Sequence, residues 1–233
     1  MMRFIKSTFL NGVLLVSLTA IGLTSCNDDE SDEIIVPETA FVSLYHASPN
    51  TGGLDIVVDN RQINSYPFEY SEGTGYLRFY PGERQIKFTP YDANNSVIDT
   101  TATFDVANAY SLFVSGDYPD IKTLLLNDES ETEQGNSAMI RVVNVSPDTP
   151  AFDVLKEGNS EPLVESQSFN TGSDFMTTST GSVNFDVISD DDTLLNVDDI
   201  YLSPGIYYTM IIRGYENPPS GNEHYLSAEV IVN

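Results

Sequence analysis

The chain has 233 residues, of which 35 are Asp or Glu and 10 are Lys or Arg, for a formal net charge of −25. Nucleic-acid binding needs a basic footprint, which this balance excludes, and electrostatic docking on an anionic membrane is equally disfavoured. Cys26 is the one cysteine, so no disulfide can form within the chain.

Residues 1–25 read as a secretory signal. Arg3 and Lys6 supply a short basic region, and Gly12 to Leu23 is mostly apolar but too short to span a bilayer. Leu23-Thr24-Ser25-Cys26 resembles the lipobox of bacterial lipoproteins, which implies lipidation of Cys26 as the first mature residue. Two or three acyl chains anchor a protein stably without any spanning segment. Residues 26–39 are then a lipidated cysteine and a tether. Its run Asn27-Asp28-Asp29-Glu30-Ser31-Asp32-Glu33 is too polar to bury surface. That run is also similar to the acidic signal that directs lipoproteins of Bacteroidota to the outer face of the outer membrane.

From residue 40 onward the sequence uses one pattern twice. Tyr45-His46-Ala47-Ser48-Pro49-Asn50-Thr51 precedes Leu54-Asp55-Ile56, and Val143-Asn144-Val145-Ser146-Pro147-Asp148-Thr149 precedes Phe152-Asp153-Val154. Pro147 lies 98 residues after Pro49, and Gly214 lies 98 after Gly116. The repeat predicts a first copy over 40–127, a polar linker over 128–137 and a second copy over 138–233.

Strand periodicity dominates both. Ile98, Thr100, Ala102, Phe104 and Val106 alternate with Asp99, Thr101, Thr103 and Asp105, as a half-buried antiparallel strand requires. Arg84 to Thr89 alternates likewise. Asp59-Asn60 and Pro81-Gly82 have the composition of tight turns between adjacent strands. The expectation is an all-β chain of two tandem immunoglobulin-like antiparallel β-sandwich domains.

The order of apolar run, His-Ala-Ser-Pro, short gap and apolar-Asp-apolar resembles the domain-of-unknown-function family 4397. The residues that carry it are His46-Ala47-Ser48-Pro49 with Leu54-Asp55-Ile56, and Asn144-Val145-Ser146-Pro147 with Phe152-Asp153-Val154. The resemblance implies exported bacterial β-sandwich domains and no established activity.

The doubled stretch reads as fold signature: His46, Ser48, Pro49 and Asp55, then Ser146, Pro147 and Asp153, with Asn144 where the first copy has His46. Pro fixes φ, and Asn or Asp in a turn bonds nearby backbone. Features of one copy are the better functional candidates. Tyr76, Arg78 and Tyr80 fall on one strand face opposite Leu77 and Phe79, which offers an aromatic and cationic strip for a ligand. Asp190, Asp191, Asp192, Asp198 and Asp199 flank Leu194-Leu195 and could supply oxygen ligands to Ca²⁺, although no Asp-x-Asp-x-Asp-Gly loop is present.

No nucleophile elbow, His-Glu-x-x-His or other catalytic constellation occurs, so no catalytic residue is assigned. The expected function is non-catalytic: a lipid-anchored surface protein that binds a glycan, peptide or envelope protein. A structural or adhesive spacer is the alternative, and an enzyme or glycan-hydrolase accessory a distant third.

Overall fold

A computed structural model describes residues 38–129, 135–190 and 192–233. Cys26, the tether up to residue 37 and Asp191 lie outside these residues. The described part contains strands and no helix, and all of it belongs to one compact unit.

The first copy holds β1 (Ala40–His46), β2 (Leu54–Val58), β3 (Arg61–Gln62), β4 (Gly73–Phe79), β5 (Gly82–Pro90), β6 (Ile98–Phe104), β7 (Ala109–Asp117) and β8 (Asp120–Asn127). They form two sheets, in the orders β4-β1-β7-β8 and β3-β2-β5-β6. The second copy holds β9 (Ala138–Asn144), β10 (Phe152–Lys156), β11 (Val164–Gln167), β12 (Thr171–Gly172), β13 (Met176–Thr178), β14 (Gly181–Ser189), β15 (Asp192–Leu202), β16 (Tyr207–Arg213) and β17 (Ser227–Val232). Its sheets, β12-β9-β16-β17 and β11-β10-β14-β15, repeat the topology of the first copy, with β13 also pairing β9.

Three expectations need correction. The sheets are not wholly antiparallel, because β1 runs parallel to β7 and β9 parallel to β16. Parallel pairs belong where both faces are covered, and these strands are covered: every residue of β9 is buried, as is β7 from Tyr110 to Gly116. Pro81-Gly82 does not join adjacent strands of one sheet. It carries the chain from β4 in one sheet to β5 in the other, with Gly82 at φ +90°. Val106 does not continue the buried face of β6, because the chain leaves the strand after Phe104 and turns through Ala107 at φ +65°, leaving Val106 exposed.

Alternation along the strands explains the covered faces. Ala40, Val42 and Leu44 of β1 point into the first sandwich core, with Leu54, Ile56, Phe88, Phe104 and Leu112. Ile140, Val142, Met210 and Ile212 point into the second, with Phe152, Val154 and Phe185. The opposite faces of the same inner strands meet in a third core: Tyr45, Ala47 and Phe113 from one copy, Val143, Val145 and Ile211 from the other. The two inner sheets therefore face each other and the outer sheets close the stack.

A polar network crosses this junction. Arg141 is 1% exposed and pairs with Asp128 at 2.5 Å. It also donates to Thr209 Oγ1 at 2.9 Å, Ser111 Oγ at 3.1 Å and the Asn127 carbonyl at 3.2 Å, while its guanidinium lies 4.7 Å from the Phe175 ring. Asp128 accepts two further bonds, from Ser111 Oγ at 2.7 Å and Tyr76 Oη at 2.6 Å. A buried guanidinium is tolerable only when its charge and donors are met in this way. Asp128, which sequence composition places at the head of a polar linker, is thus a buried member of the junction.

Candidate functional site

The repeated Ser-Pro stretch does the same structural work in each copy. Ser48 Oγ donates to the Gly116 carbonyl at 2.8 Å, and Ser146 Oγ donates to the Gly214 carbonyl at 2.6 Å. Both glycines have positive φ, +91° and +84°, and a Cβ there would lie 2.5 Å from the Asp120 carbonyl oxygen or 2.2 Å from that of Tyr225. Only glycine fits such a backbone approach.

His46 and Asn144 prove interchangeable at this turn. His46 Nδ1 accepts the Ser48 amide at 3.2 Å, and Asn144 Oδ1 accepts the Ser146 amide at 3.1 Å. His46 Nε2 lies 2.9 Å from the Gly52 carbonyl and so carries the proton, leaving the ring neutral. Burial holds its pKa below the usual value. An imidazole with both nitrogens committed to backbone in a buried site positions a loop.

Pro49 is buried and accepts from Asn222 of the second copy at 3.0 Å, whereas Pro147 is half-buried. Asp55 accepts from Gln62 Nε2 at 2.8 Å, and Asp153 accepts the Ser166 amide at 2.7 Å. Each therefore ties its own strand to the segment that follows.

Of the five candidate aspartates of the second copy, the four that are described do not converge. Asp190 sits in the β14–β15 turn and Asp192 opens β15, while Asp198 and Asp199 lie six and seven residues further along that strand. Six residues of extended strand span about 20 Å, far beyond the reach of one Ca²⁺ shell. Among the described residues no group of three carboxylate, His or Cys side chains is placed to hold a metal.

The Tyr76-Arg78-Tyr80 strip is divided by the structure. Leu77 and Phe79 pack against the first core, which turns all three strip residues outward. Tyr76, however, is committed to the junction: its hydroxyl donates to Asp128 and accepts from Asn233 at 3.4 Å. Burial first, and then the bond to Asp128, push its pKa up to about 12. Arg78 and Tyr80 instead line a cleft of about 550 Å³, a size typical of ligand sites.

Two devices build this cleft at one edge of the first sandwich. On one side the β2–β3 hairpin turns at Asp59 and Asn60, both with positive φ. The loop beyond it is pinned by Asn64, whose side chain accepts the Ile56 amide at 2.8 Å and donates to the carbonyls of Leu54 and Tyr66. On the other side, the Tyr80-Pro81-Gly82 crossover leaves β4. Arg84 staples the walls together, donating to Asp59 Oδ2 at 2.9 Å and to the Pro81 carbonyl at 2.7 Å. This contact, with the Gln85 amide, holds the Asp59 carboxyl below its ordinary pKa. Arg84 Nε is buried without a partner.

Val58, Ile63 and Phe79 also line the cleft, with Arg61, Arg78 and Tyr80 around them. Tyr80 is 70% exposed, and among the described residues neither Arg61 nor Arg78 forms an ion pair. Sequence reasoning missed Arg61 and Arg84 because they lie on strands of the opposite sheet from Arg78. Their shared signal was their rarity in so acidic a chain.

The second copy lacks this arrangement. Arg78 pairs with Phe41 and Thr177 with Met139, which puts Thr177 at the position of Arg78. Val183 takes the place of Arg84, third in a strand opened by a positive-φ glycine. The amides of Asp59 and Glu157 bond matching carbonyls, of Gln85 and Asn184, so Asn159 stands where the first copy has Arg61.

No curated protein matches this sequence. A solved structure of a proposed cell adhesion protein from Bacteroides eggerthii aligns with 85% of this chain and 96% of its own, at 9% identity and a TM-score of 0.20. Likeness at that level says nothing of a role. The model of a family described as a domain of unknown function, DUF4397, matches residues 40–155 and again residues 138–222. With the signature turn built twice and the family pattern matched over both copies, the chain belongs to the DUF4397 family.

Proposed function

We propose that this chain is a non-catalytic binding protein of the bacterial cell surface, lipid-anchored to the outer membrane through Cys26, whose ligand occupies the cleft of the first copy. One observation carries the binding reading: three of its few basic residues meet Tyr80 in a cleft whose counterpart positions in the second copy are Asn159, Thr177 and Val183. The skeleton does not need those arginines, since the second copy forms the same sheets without them. The test is a screen of the mature chain against glycan arrays and envelope extracts, beside the Arg78→Ala and Tyr80→Ala variants. Capture lost in both variants, with unchanged melting, supports the cleft. Capture that survives in both removes it. Anchoring is tested by Cys26→Ala, which should release the protein from membranes; a variant still sedimenting with them contradicts lipidation.

A spacer role draws on a different observation, the continuous third core and the buried Arg141–Asp128 pair that join the copies. That junction suits a stiff arm holding another component away from the membrane. A screen with no cleft-dependent ligand would favour it.

A further inference from the structure

Resting on the cleft as the binding site, we propose its ligand class: a saccharide unit bearing a single carboxylate, with the acid on Arg61 and Arg78 and the sugar ring against Tyr80. Arg84, Lys87, Arg141 and Arg213 are engaged by carboxylates of the chain itself. Arg61 and Arg78 are exposed side chains of one cleft and form no ion pair among the described residues, despite 35 acidic residues in the sequence. Guanidinium forks match a carboxylate in geometry as well as charge.

The rest of the cleft narrows the class. Val58, Ile63 and Phe79 give an apolar lining, and Tyr80 adds a rigid ring with a polar tip. That combination suits the apolar face and hydroxyl rim of a sugar ring. A net charge of −25 repels a polyanion at long range, whereas one carboxylate is governed by the nearest arginines within a screening length of about 8 Å. A peptide would most readily bind by adding a strand to an open edge. The edge strand β3, on one wall of the cleft, has only two residues to pair with, while β4 on the other wall is an edge strand of seven, so a peptide is the competing ligand that the experiment separates from the saccharide.

The experiment titrates the mature protein with an oligosaccharide capped by one glucuronate, with its methyl ester, and with a short peptide bearing a free carboxyl terminus. The acid should bind at least about tenfold more tightly than the ester, the loss expected for one charge-assisted contact. Arg61→Ala and Arg78→Ala should each weaken the acid by a similar factor and leave the ester unchanged. Arg78→Lys should recover only part, because it keeps the charge and loses the fork. Melting curves equal to the parent's exclude unfolding as the cause. Equal binding of acid and ester, no binding of the acid at millimolar concentration, or a preference for the peptide would each overturn the proposal. If extract capture still depends on Arg78 and Tyr80 after such a result, the cleft reading stands and only the ligand class falls. If that dependence is absent too, both fall.

Discussion

The two copies share a skeleton strand for strand and differ in what they do with its edges. At the signature turn the chemistry is fixed while the residue is free: His46 and Asn144 each present an acceptor to the amide two residues on. A buried amide must be met, and either side chain meets it. At the sandwich edge no such shared demand holds the sequence, and there the first copy gathers Arg61, Arg78 and Arg84 while the second does not. The junction separates the copies in another way. Position 43 in the first copy is a half-buried Ser, and its counterpart is the buried Arg141 on which the interface network turns. What the backbone demands is repeated; the arginine cleft and the Arg141 junction are each found once.

The sharpest way to break this comparison is at the junction. Arg141→Leu leaves Asp128 buried without its counter-charge, and the expected loss is about 3–5 kcal/mol in urea unfolding. Replacing Asp128 by Leu as well should restore part of it, and a loss below about 1 kcal/mol would mean the copies do not depend on the pair. Next in size come Gly116→Ala and Gly214→Ala. Each forces a Cβ against backbone at positive φ, with an expected loss of roughly 2–3 kcal/mol. Similar losses in both would show that the turn is equivalent in the two copies; a tolerated alanine in one would break the symmetry.

A smaller effect separates His46 from Asn144. Burial lowers the folded-state pKa of His46 below its usual 6.5, so the unfolded chain binds the proton more readily. The associated stability is complete above about pH 6.5 and falls as the pH drops from there toward the lowered folded value. His46→Asn, which writes the second copy's residue into the first, should flatten that part of the stability profile. An unchanged slope in equilibrium unfolding between pH 5 and 7 would assign it elsewhere. Smallest in stability is Arg84→Val, again the second copy's residue. It removes a partly exposed ion pair, so about 0–1 kcal/mol is expected, yet cleft-dependent capture should fall sharply. A variant that melts normally and binds normally would disconnect the cleft from recognition.

The sequence by itself determined the all-β class, the duplication and the β2–β3 turn, because alternation, the 98-residue offset and the pair Asp59-Asn60 can be read along the chain, whereas Pro81-Gly82 was a crossover that composition could not tell from a tight turn. The outward face of Tyr76, Arg78 and Tyr80 was legible for the same reason: period two fixes which side chains oppose Leu77 and Phe79. Only the tertiary structure decided where those faces end up. It took Tyr76 and Asp128 into the junction and left Arg78 to meet Arg61 and Arg84 from the other sheet. Covered parallel pairs left a trace in the unbroken burial of β7 and β9, visible beforehand only as runs with little polar alternation such as Met139-Ile140-Arg141-Val142-Val143. Alternation says that a face is buried or exposed. It carries no information about which distant face it meets, and the third core and the arginine cleft are both products of that meeting.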